Sequence, residues 1–234
     1  MVVNLLFPRG CAGCDMPDEV LCADCSRLFG EVIAMPLDAL GIGSWYACGM
    51  YQGNVRRAIL SWKDHGDEQC DKPFSQALVA LAESSGINDF ICQNVHGGGS
   101  VLIVPAPSSL VSMRRRGRQH MLPVARRLAV SLERSTGRRV SACDALESRG
   151  VSGRSVQMRG TAQRTQRLKG RITVRSRVDV RGATVILIDD IVTSGATMRR
   201  CVDALRSAGA KVVTVLALAH TPGGRPTQDG DYLS

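Results

Sequence analysis

The sequence is poor in aromatic residues, with four Phe, three Tyr and two Trp among 234 residues. None of them lies between residues 114 and 181, which is the most basic part of the chain. Proteins that bind single-stranded nucleic acid without regard to its sequence stack the bases on aromatic side chains. This composition excludes base stacking in the basic stretch and leaves only contacts to a phosphate backbone.

The sequence also lacks an apolar run of the ~18 residues that a membrane-spanning helix needs. Residues 5–7 are too few for the apolar core of a signal peptide, and no basic residue precedes them. We therefore expect no membrane insertion and a cytoplasmic location. Because thiols stay reduced in that compartment, the nine cysteines favour metal binding over a disulfide framework.

Acidic residues are scarce in the basic stretch. Residues 114–181 contain 19 Arg and Lys against four acids, in a chain whose formal net charge is +9. Arginine pairs bidentately with phosphate, so this stretch suits an anionic ligand such as pyrophosphate. The alternatives are the phosphate backbone of a nucleic acid and a solvated surface without a partner.

Four cysteines near the N-terminus form two C-x₂-C pairs, Cys11 with Cys14 and Cys22 with Cys25. Each pair can place two thiolates on one tetrahedral ion, and two pairs complete a structural Zn²⁺ site. The alternatives are packed, reduced cysteines and a redox motif, although no strand-to-helix pattern surrounds either pair. We predict a small zinc-binding module over residues 1–40.

A short apolar run near the C-terminus leads into two acids, Asp189 and Asp190, and then into a turn of small residues. The run at residues 185–188 predicts a strand buried on both faces, and residues 198–208 have helical periodicity. The turn between them contains Thr193, Ser194, Gly195, Ala196 and Thr197. Unpaired N–H groups and the helix dipole favour an anion there. The alternative is an Asx-type turn that only caps the helix.

This run resembles the phosphoribosyl pyrophosphate (PRPP) signature of type I phosphoribosyltransferases, in which apolar residues precede two acids and a Thr/Ser-Gly-x-Thr loop. The resemblance implies that Asp189 and Asp190 hold the ribose hydroxyls and that residues 193–197 hold the 5′-phosphate. Mg²⁺ bound with PRPP would reconcile two acids with an anionic ligand. We expect this site at a solvent-facing edge of the sheet.

Strand and helix patterns alternate through the rest of the chain. Strands are predicted at residues 45–51, 101–104, 172–174 and 211–219, and helices at residues 55–62, 74–84 and 122–132. The alternation predicts an α/β domain, with a mostly parallel sheet flanked by helices, over residues 41–222. Residues 223–234 have no apolar periodicity and are predicted to be a flexible tail.

Further segments extend the resemblance over residues 1–221. They are Leu5-Leu6-Phe7-Pro8, Tyr51-Gln52-Gly53 with Ile59 and Lys63, Val104-Pro105-Ala106-Pro107, and Arg116-Gly117. Together with the cysteines and the acid motif, they are similar to the ComF-type competence protein family. That resemblance implies a connection with DNA uptake. Where the family has Arg-Gly-Phe-Asn-Gln, this chain has Arg116-Gly117-Arg118-Gln119-His120.

The chemistry of phosphoribosyl transfer predicts where the remaining site residues lie. Displacing pyrophosphate from C1 of ribose requires cations or N–H donors at the leaving group. The turn at residues 105–107 should reach the carboxyl edge of the sheet, where ligands bind in open α/β folds. Arg116 with Gly117 is the candidate cationic group, and residues 154–167 are a candidate flap or a disordered linker. Among the histidines, only His120 lies beside this cluster.

Two functions stay open at this point. The first is a PRPP-dependent enzyme that transfers a phosphoribosyl group to an unidentified nitrogen acceptor. The second is a non-catalytic accessory protein that senses PRPP or binds single-stranded DNA together with DNA-uptake proteins. The sequence identifies no general base for the acceptor, and either function is compatible with an oligomer.

Overall fold

The computed structural model describes residues 9–36, 43–97, 99–108, 113, 116–149 and 171–221. The candidate flap, the predicted tail and the side chains of Arg114 and Arg115 lie outside these residues. Within the described part, no helix has both the length and the apolar content needed to cross a bilayer.

A six-stranded, mostly parallel sheet runs through the middle of the described structure. Its strands are β1 (Ile33–Pro36), β2 (Ser44–Ala47), β3 (Val101–Pro105), β4 (Val140–Ala142), β7 (Thr184–Val192) and β8 (Lys211–His220). They lie in the order β1-β2-β8-β7-β3-β4, and β1 is antiparallel to β2 while the other neighbours are parallel. A separate antiparallel pair consists of β5 (Leu146–Arg149) and β6 (Arg171–Val174).

Helices flank this sheet, which confirms the predicted fold class. They are α1 (Ala23–Arg27), α2 (Gly53–Asp64), α3 (Asp71–Ser84), α4 (Ile87–Asn94), α5 (Met121–Thr136) and α6 (Ala196–Ser207). One apolar cluster joins the sheet to α2, α3, α4 and α5, and a second joins it to α6. Alternate residues of β7 belong to different clusters, with Ile186 in the first and Leu187 in the second. Burial on both faces explains the continuous apolar run in β7.

The structure extends β7 beyond the predicted strand. The predicted run stops before the acids, whereas β7 pairs with β8 as far as Val192 and His220. Asp189 and Asp190 consequently lie within the strand, and their side chains point to opposite faces of the sheet. Alternation places one acid on the face packed by α6 and the other on the face packed by α2 and α5.

The N-terminal segment packs closely on the α/β domain. Phe29 is buried in the first apolar cluster, with its ring centroid 5.1 Å from that of Phe74. A side chain in place of Gly13 would put its Cβ 3.2 Å from the carbonyl oxygen of Asn54, near the start of α2. Arg9 Nη2 contacts Asp67 Oδ2 at 2.5 Å. The N-terminal segment therefore contacts the start of α2, the residues that follow α2, and α3, although the boundary at residues 40–41 stays a prediction.

Candidate functional site

The carboxyl end of β3 lies beside β7 just before the two acids, with Pro105 opposite Ile188. The Ala106 N–H donates a hydrogen bond to the Ile188 carbonyl at 2.8 Å, which places the turn after β3 beside the acids. A cleft of about 240 Å³ opens at this edge. Its walls include Lys63, Pro107, Arg116, His120, Asp189 and Thr197. The structure thus brings together groups that are up to 134 positions apart in the sequence, from Lys63 to Thr197.

The turn between β7 and α6 is accessible to a ligand. Thr193 and Thr197 are exposed, and the three residues between them are half-buried. Gly195 has φ +70°, and a Cβ there would lie 3.3 Å from Met198 Cε. Glycine supplies this left-handed conformation without strain. The first N–H groups of α6 have no partner within the helix, so this turn can hold an anion.

Asp190 is buried, contrary to the expected solvent-facing position, with 5% of its surface exposed. Its Oδ2 atom contacts Lys63 Nζ at 2.5 Å and His120 Nε2 at 2.7 Å. Burial on its own would raise the pKa of Asp190, but the hydrogen bond from His120 and the positive charge of Lys63 outweigh it. Together they hold the pKa well below its usual range, so Asp190 is a carboxylate.

Asp189 lies in a different electrostatic environment. It is half-buried, and its Oδ1 atom accepts a hydrogen bond from the Asp190 N–H at 2.8 Å. Burial and the adjacent charge of Asp190 raise the pKa of Asp189 well above its usual range. The fold therefore disfavours ionisation of both acids at once. It favours the charged form of Asp190 and the neutral form of Asp189.

A hydrogen-bonded network behind the cleft holds His120 in place. Arg118 donates two hydrogen bonds to the carboxylate of Asp71, at 2.9 and 3.0 Å. The indole N–H of Trp62 donates to Asp71 Oδ1 at 2.6 Å, and its ring meets the His120 ring edge-on with centroids 4.8 Å apart. Arg118, two residues after the candidate Arg116, therefore stabilises the wall behind the cleft.

Arg116 lines the cleft and is not a solvated surface residue. Its side chain is 9% exposed, and both Nε and Nη2 contact Asp64 Oδ1, at 3.2 and 3.1 Å. Gly117 follows with φ +70° and turns the chain between the two arginines. This local turn is what sends Arg116 toward Asp64 and Arg118 toward Asp71.

A larger groove of about 820 Å³ lies between β6 and α6. Arg171 and Arg199 contribute positive charge to it, and Ile172 and Ala204 contribute apolar surface. The acids and the turn after β3 are not among the described residues that line this groove. The smaller cleft is therefore the site where the chemistry-bearing groups converge.

The four N-terminal cysteines converge as their spacing predicts. Their Sγ atoms all lie within 4.8 Å of one another, and those of Cys14 and Cys22 are 3.5 Å apart. A Zn²⁺ ion with Zn–S bonds of ~2.3 Å requires four sulfurs about 3.8 Å apart. The donor set and its spacing therefore fit one tetrahedral zinc ion.

Thiolate formation is favoured unequally within this cysteine cluster. Burial opposes ionisation of Cys11, but backbone N–H groups that include those of Cys22 and Gly13, at 3.3 and 3.4 Å, lower its pKa to about 6. Burial and the neighbouring sulfurs raise the pKa of Cys25. A metal ion would remove this conflict, because coordination stabilises all four thiolates.

The chain is similar in part to several known proteins. It is 39% identical over 62 residues to an orotate phosphoribosyltransferase of Heliobacterium modesticaldum, which is 26% of this chain and 32% of that protein. The chain thus spans about a third of the length of this curated relative. A hypoxanthine-guanine phosphoribosyltransferase of Bacillus anthracis aligns in structure over 70% of this chain and 76% of its own, at 18% identity and a TM-score of 0.38.

A phosphoribosylpyrophosphate synthetase of Mycobacterium smegmatis aligns over 62% of this chain and 33% of its own, at 22% identity and a TM-score of 0.35. Both TM-scores are below 0.5, so the assignment depends on the sequence family. The model of the phosphoribosyl transferase domain matches residues 107–233, more than half of the chain, including the acids and the turn at residues 193–197. The chain belongs to the phosphoribosyl transferase domain family.

Proposed function

We propose that the cleft at the carboxyl edge of the sheet binds PRPP together with Mg²⁺. The observation that carries this assignment is the continuity of the acids with the helix turn. Asp189 and Asp190 lie in the C-terminal half of β7, and the accessible turn at residues 193–197 directly follows the strand and leads into α6. Hydroxyl acceptors and a phosphate-binding turn are thus held at a fixed distance on one strand–helix unit, as a phosphorylated ribose requires.

Within this function, each wall of the cleft has a distinct role. The N–H groups of residues 193–197 bind the 5′-phosphate, and the acids accept hydrogen bonds from the ribose hydroxyls. Ala106 and Pro107 border the leaving-group side, where Arg116 supplies positive charge. Bound Mg²⁺ supplies charge neutralisation at the pyrophosphate.

The reaction that these groups support is phosphoribosyl transfer to a nitrogen acceptor. The bond between C1 of the ribose and the pyrophosphate oxygen breaks, and a bond from C1 to the acceptor nitrogen forms. Pyrophosphate leaves with the bonding electron pair, and the acceptor nitrogen loses its proton to solvent or to a group on the ligand. Carboxylates near the sugar stabilise the positive charge that develops on the ribose.

We also propose a structural zinc ion in the N-terminal segment. Cys11, Cys14, Cys22 and Cys25 hold it, and its role is to fix a segment too small to hold its own core. The segment packs on the start of α2, whose last turn supplies Lys63 to the cleft and Asp64 as the partner of Arg116.

The accessory function implied by the ComF-type resemblance stays a separate prediction. The charges described in the basic stretch give little support to DNA contact, because several arginines are already paired with acids. The pairs are Arg116 with Asp64, Arg118 with Asp71, Arg175 with Asp144, and Arg181 with Asp179. Paired guanidinium groups release fewer counterions from a phosphate backbone than free ones.

The PRPP assignment is tested by calorimetric titration of PRPP into the full chain with and without Mg²⁺. We expect saturable binding that strengthens when Mg²⁺ is present. A screen for pyrophosphate release across nucleobases then separates an enzyme from a PRPP sensor. Absence of PRPP binding under both conditions would contradict the assignment, and binding without pyrophosphate release for any acceptor would favour the sensor.

Replacing Arg116 should affect the leaving-group side of the site. We expect Arg116→Ala to weaken binding of Mg²⁺-pyrophosphate by ~1–3 kcal/mol, because a charge-assisted hydrogen bond is lost. Arg127→Ala, at an exposed position of α5, serves as the matched control and should change the affinity by less than ~0.5 kcal/mol. An unchanged affinity in Arg116→Ala would show that Arg116 only pairs with Asp64.

A further inference from the structure

Lys63 reaches the acid pair from α2, outside the segment that matches the family model. The matched segment begins at residue 107, whereas Lys63 lies in the last turn of α2. Its ammonium group contacts Asp190 Oδ2 at 2.5 Å, and its side chain is 21% exposed. The sequence alone leaves the role of Lys63 open, since a lysine at the end of an amphipathic helix is commonly solvated.

Among the described residues, the ammonium group of Lys63 contacts a single acceptor and has hydrogen-bond donors to spare. A lysine carries three N–H donors. Asp190 is the acceptor found for this ammonium within the described part of the chain. Because Lys63 also lines the cleft, the remaining donors are available to a ligand there.

The position of Lys63 relative to the other walls indicates which part of the ligand it meets. It shares the cleft with Arg116 and with the turn at residues 106–108, which border the leaving-group side in the proposed function. Two basic and two acidic side chains, Lys63 and Arg116 against Asp189 and Asp190, line this cleft among the described residues, so it has little excess positive charge. Overall charge alone therefore does not attract a polyanionic ligand to this cleft. Binding such a ligand depends on a basic side chain, such as Lys63, that points its free N–H donors at the anion.

His120 and Asp190 fix the direction in which Lys63 points. Both are buried, and the His120 ring is held between Asp190 and the edge-on ring of Trp62. Its Nε2 atom lies 2.7 Å from the same carboxylate oxygen that Lys63 contacts. Lys63 and His120 thus both contact the same oxygen of Asp190. Because this carboxylate is fixed in place, it restricts the positions that the flexible Lys63 side chain can adopt.

We propose that Lys63 is a ligand-binding residue that contacts the pyrophosphate group, and that His120 is a positioning residue for it. Asp190, besides accepting a ribose hydroxyl in the proposed function, helps to aim the Lys63 ammonium at the pyrophosphate. This role rests on the proposed function and adds a binding residue from α2 to it. The alternative is that Lys63 acts only on Asp190, by keeping it ionised for the ribose. The two roles differ in the ligand that loses affinity when Lys63 is replaced.

Three ligands distinguish these roles in calorimetric titrations of the full chain: PRPP with Mg²⁺, pyrophosphate with Mg²⁺, and ribose 5-phosphate. We expect Lys63→Met to weaken PRPP and pyrophosphate binding tenfold or more and to change ribose 5-phosphate binding less than about threefold. Lys63→Arg should restore most of the pyrophosphate affinity. Lys72→Met, at an exposed position of α3, is the matched control and should resemble the wild type.

An equal loss for ribose 5-phosphate, or an unchanged pyrophosphate affinity, would overturn the role of Lys63. If Lys63→Met does not fold, Lys63→Gln keeps a donor to Asp190 without the charge and gives the same comparison. Failure of the wild type to bind PRPP or pyrophosphate would instead overturn the proposed function. Binding by the wild type and by Lys63→Met with equal affinity would leave that function intact and remove only Lys63 from it.

A double-mutant cycle tests the positioning role of His120. His120→Phe keeps a ring beside Trp62 but removes the N–H that contacts Asp190. We expect it to weaken pyrophosphate binding when Lys63 is present and to have little further effect in the Lys63→Met background. His120→Gln, which can restore an N–H donor, should recover part of the affinity. Additive losses in the cycle would show that His120 does not act through Lys63.

Discussion

Asp189→Asn should stabilise the folded protein and Asp190→Asn should destabilise it, while both substitutions weaken PRPP binding. Asn at residue 189 keeps the oxygen that accepts the Asp190 N–H but removes a charge that burial and Asp190 disfavour. We expect a gain of about 0.5–2 kcal/mol in the free energy of unfolding, as for other changes that trade function for stability.

Asp190→Asn removes the charge that compensates Lys63 and His120. The carboxylate oxygen that both groups contact is buried, so we expect a loss of ~1–3 kcal/mol in the free energy of unfolding. PRPP affinity should fall tenfold or more in both variants, about 1.4 kcal/mol, because a hydroxyl acceptor is changed in each. Thermal melts and PRPP titrations on the two purified variants measure these effects.

The dependence of stability on pH should differ between the two variants. The depressed pKa of Asp190 contributes stability that is complete above its unfolded value of about 3.9 and is lost as the pH falls through the folded pKa. The raised pKa of Asp189 has the opposite sign, since its contribution is present below the unfolded value and is lost as the pH rises through the folded pKa. Asp190→Asn should therefore lose less stability than the wild type as the pH is lowered. Asp189→Asn should lose less stability than the wild type as the pH is raised toward neutrality.

Melting temperatures measured from about pH 2 to about pH 8 check this assignment. If both substitutions destabilise the protein equally at neutral pH, the two acids do not occupy different electrostatic environments. If neither substitution lowers the PRPP affinity, the acids are structural caps of the strand–helix turn and do not bind the ribose.

Cys22→Ser should release the metal from the N-terminal segment. The purified wild-type protein should carry about one equivalent of zinc, and the variant should lose it because a tetrahedral Cys₄ site keeps no spare ligand. We expect the free energy of unfolding to fall by more than ~2 kcal/mol, which for a chain of this size lowers Tm by roughly 4–8 °C. Metal analysis and thermal melts of the full chain measure both.

Cys92→Ser is the matched control for this loss, since Cys92 is exposed and lies outside the cluster. It should keep its zinc and its Tm. Limited proteolysis provides a second readout, because the segment packed on α2 should become susceptible to cleavage in Cys22→Ser. A metal-free wild-type protein with a protease-resistant N-terminus would contradict the zinc assignment.

Local patterns predicted the elements that carry the acids and the cysteines. Residues 185–188 belong alternately to the two apolar clusters. A strand buried on both faces requires an uninterrupted apolar run, which is visible in a single sequence. The C-x₂-C pairs are equally local, because tight turns bring each pair of thiols together. The helix α4, of eight residues, and the strand β4, of three, are too short for their periodicity to be recognised.

Long-range contacts explain what the sequence did not reveal. Asp190 is held by Lys63 and His120, which are 127 and 70 positions away along the chain, so no local pattern links them. Their only signals were the family resemblance for Lys63 and the position of His120 beside the arginines. Arg116 lines the cleft whereas Arg118 stabilises the wall behind it. This difference likewise depends on distant partners, Asp64 in α2 and Asp71 in α3.

A crystal structure of the full chain with PRPP and Mg²⁺ tests the central assignment most directly. We predict that the 5′-phosphate lies on the N–H groups of residues 193–197 and that the ribose hydroxyls face Asp189 and Asp190. PRPP bound instead in the groove beside Arg171 and Arg199, with the turn at residues 193–197 free of ligand, would contradict the assignment.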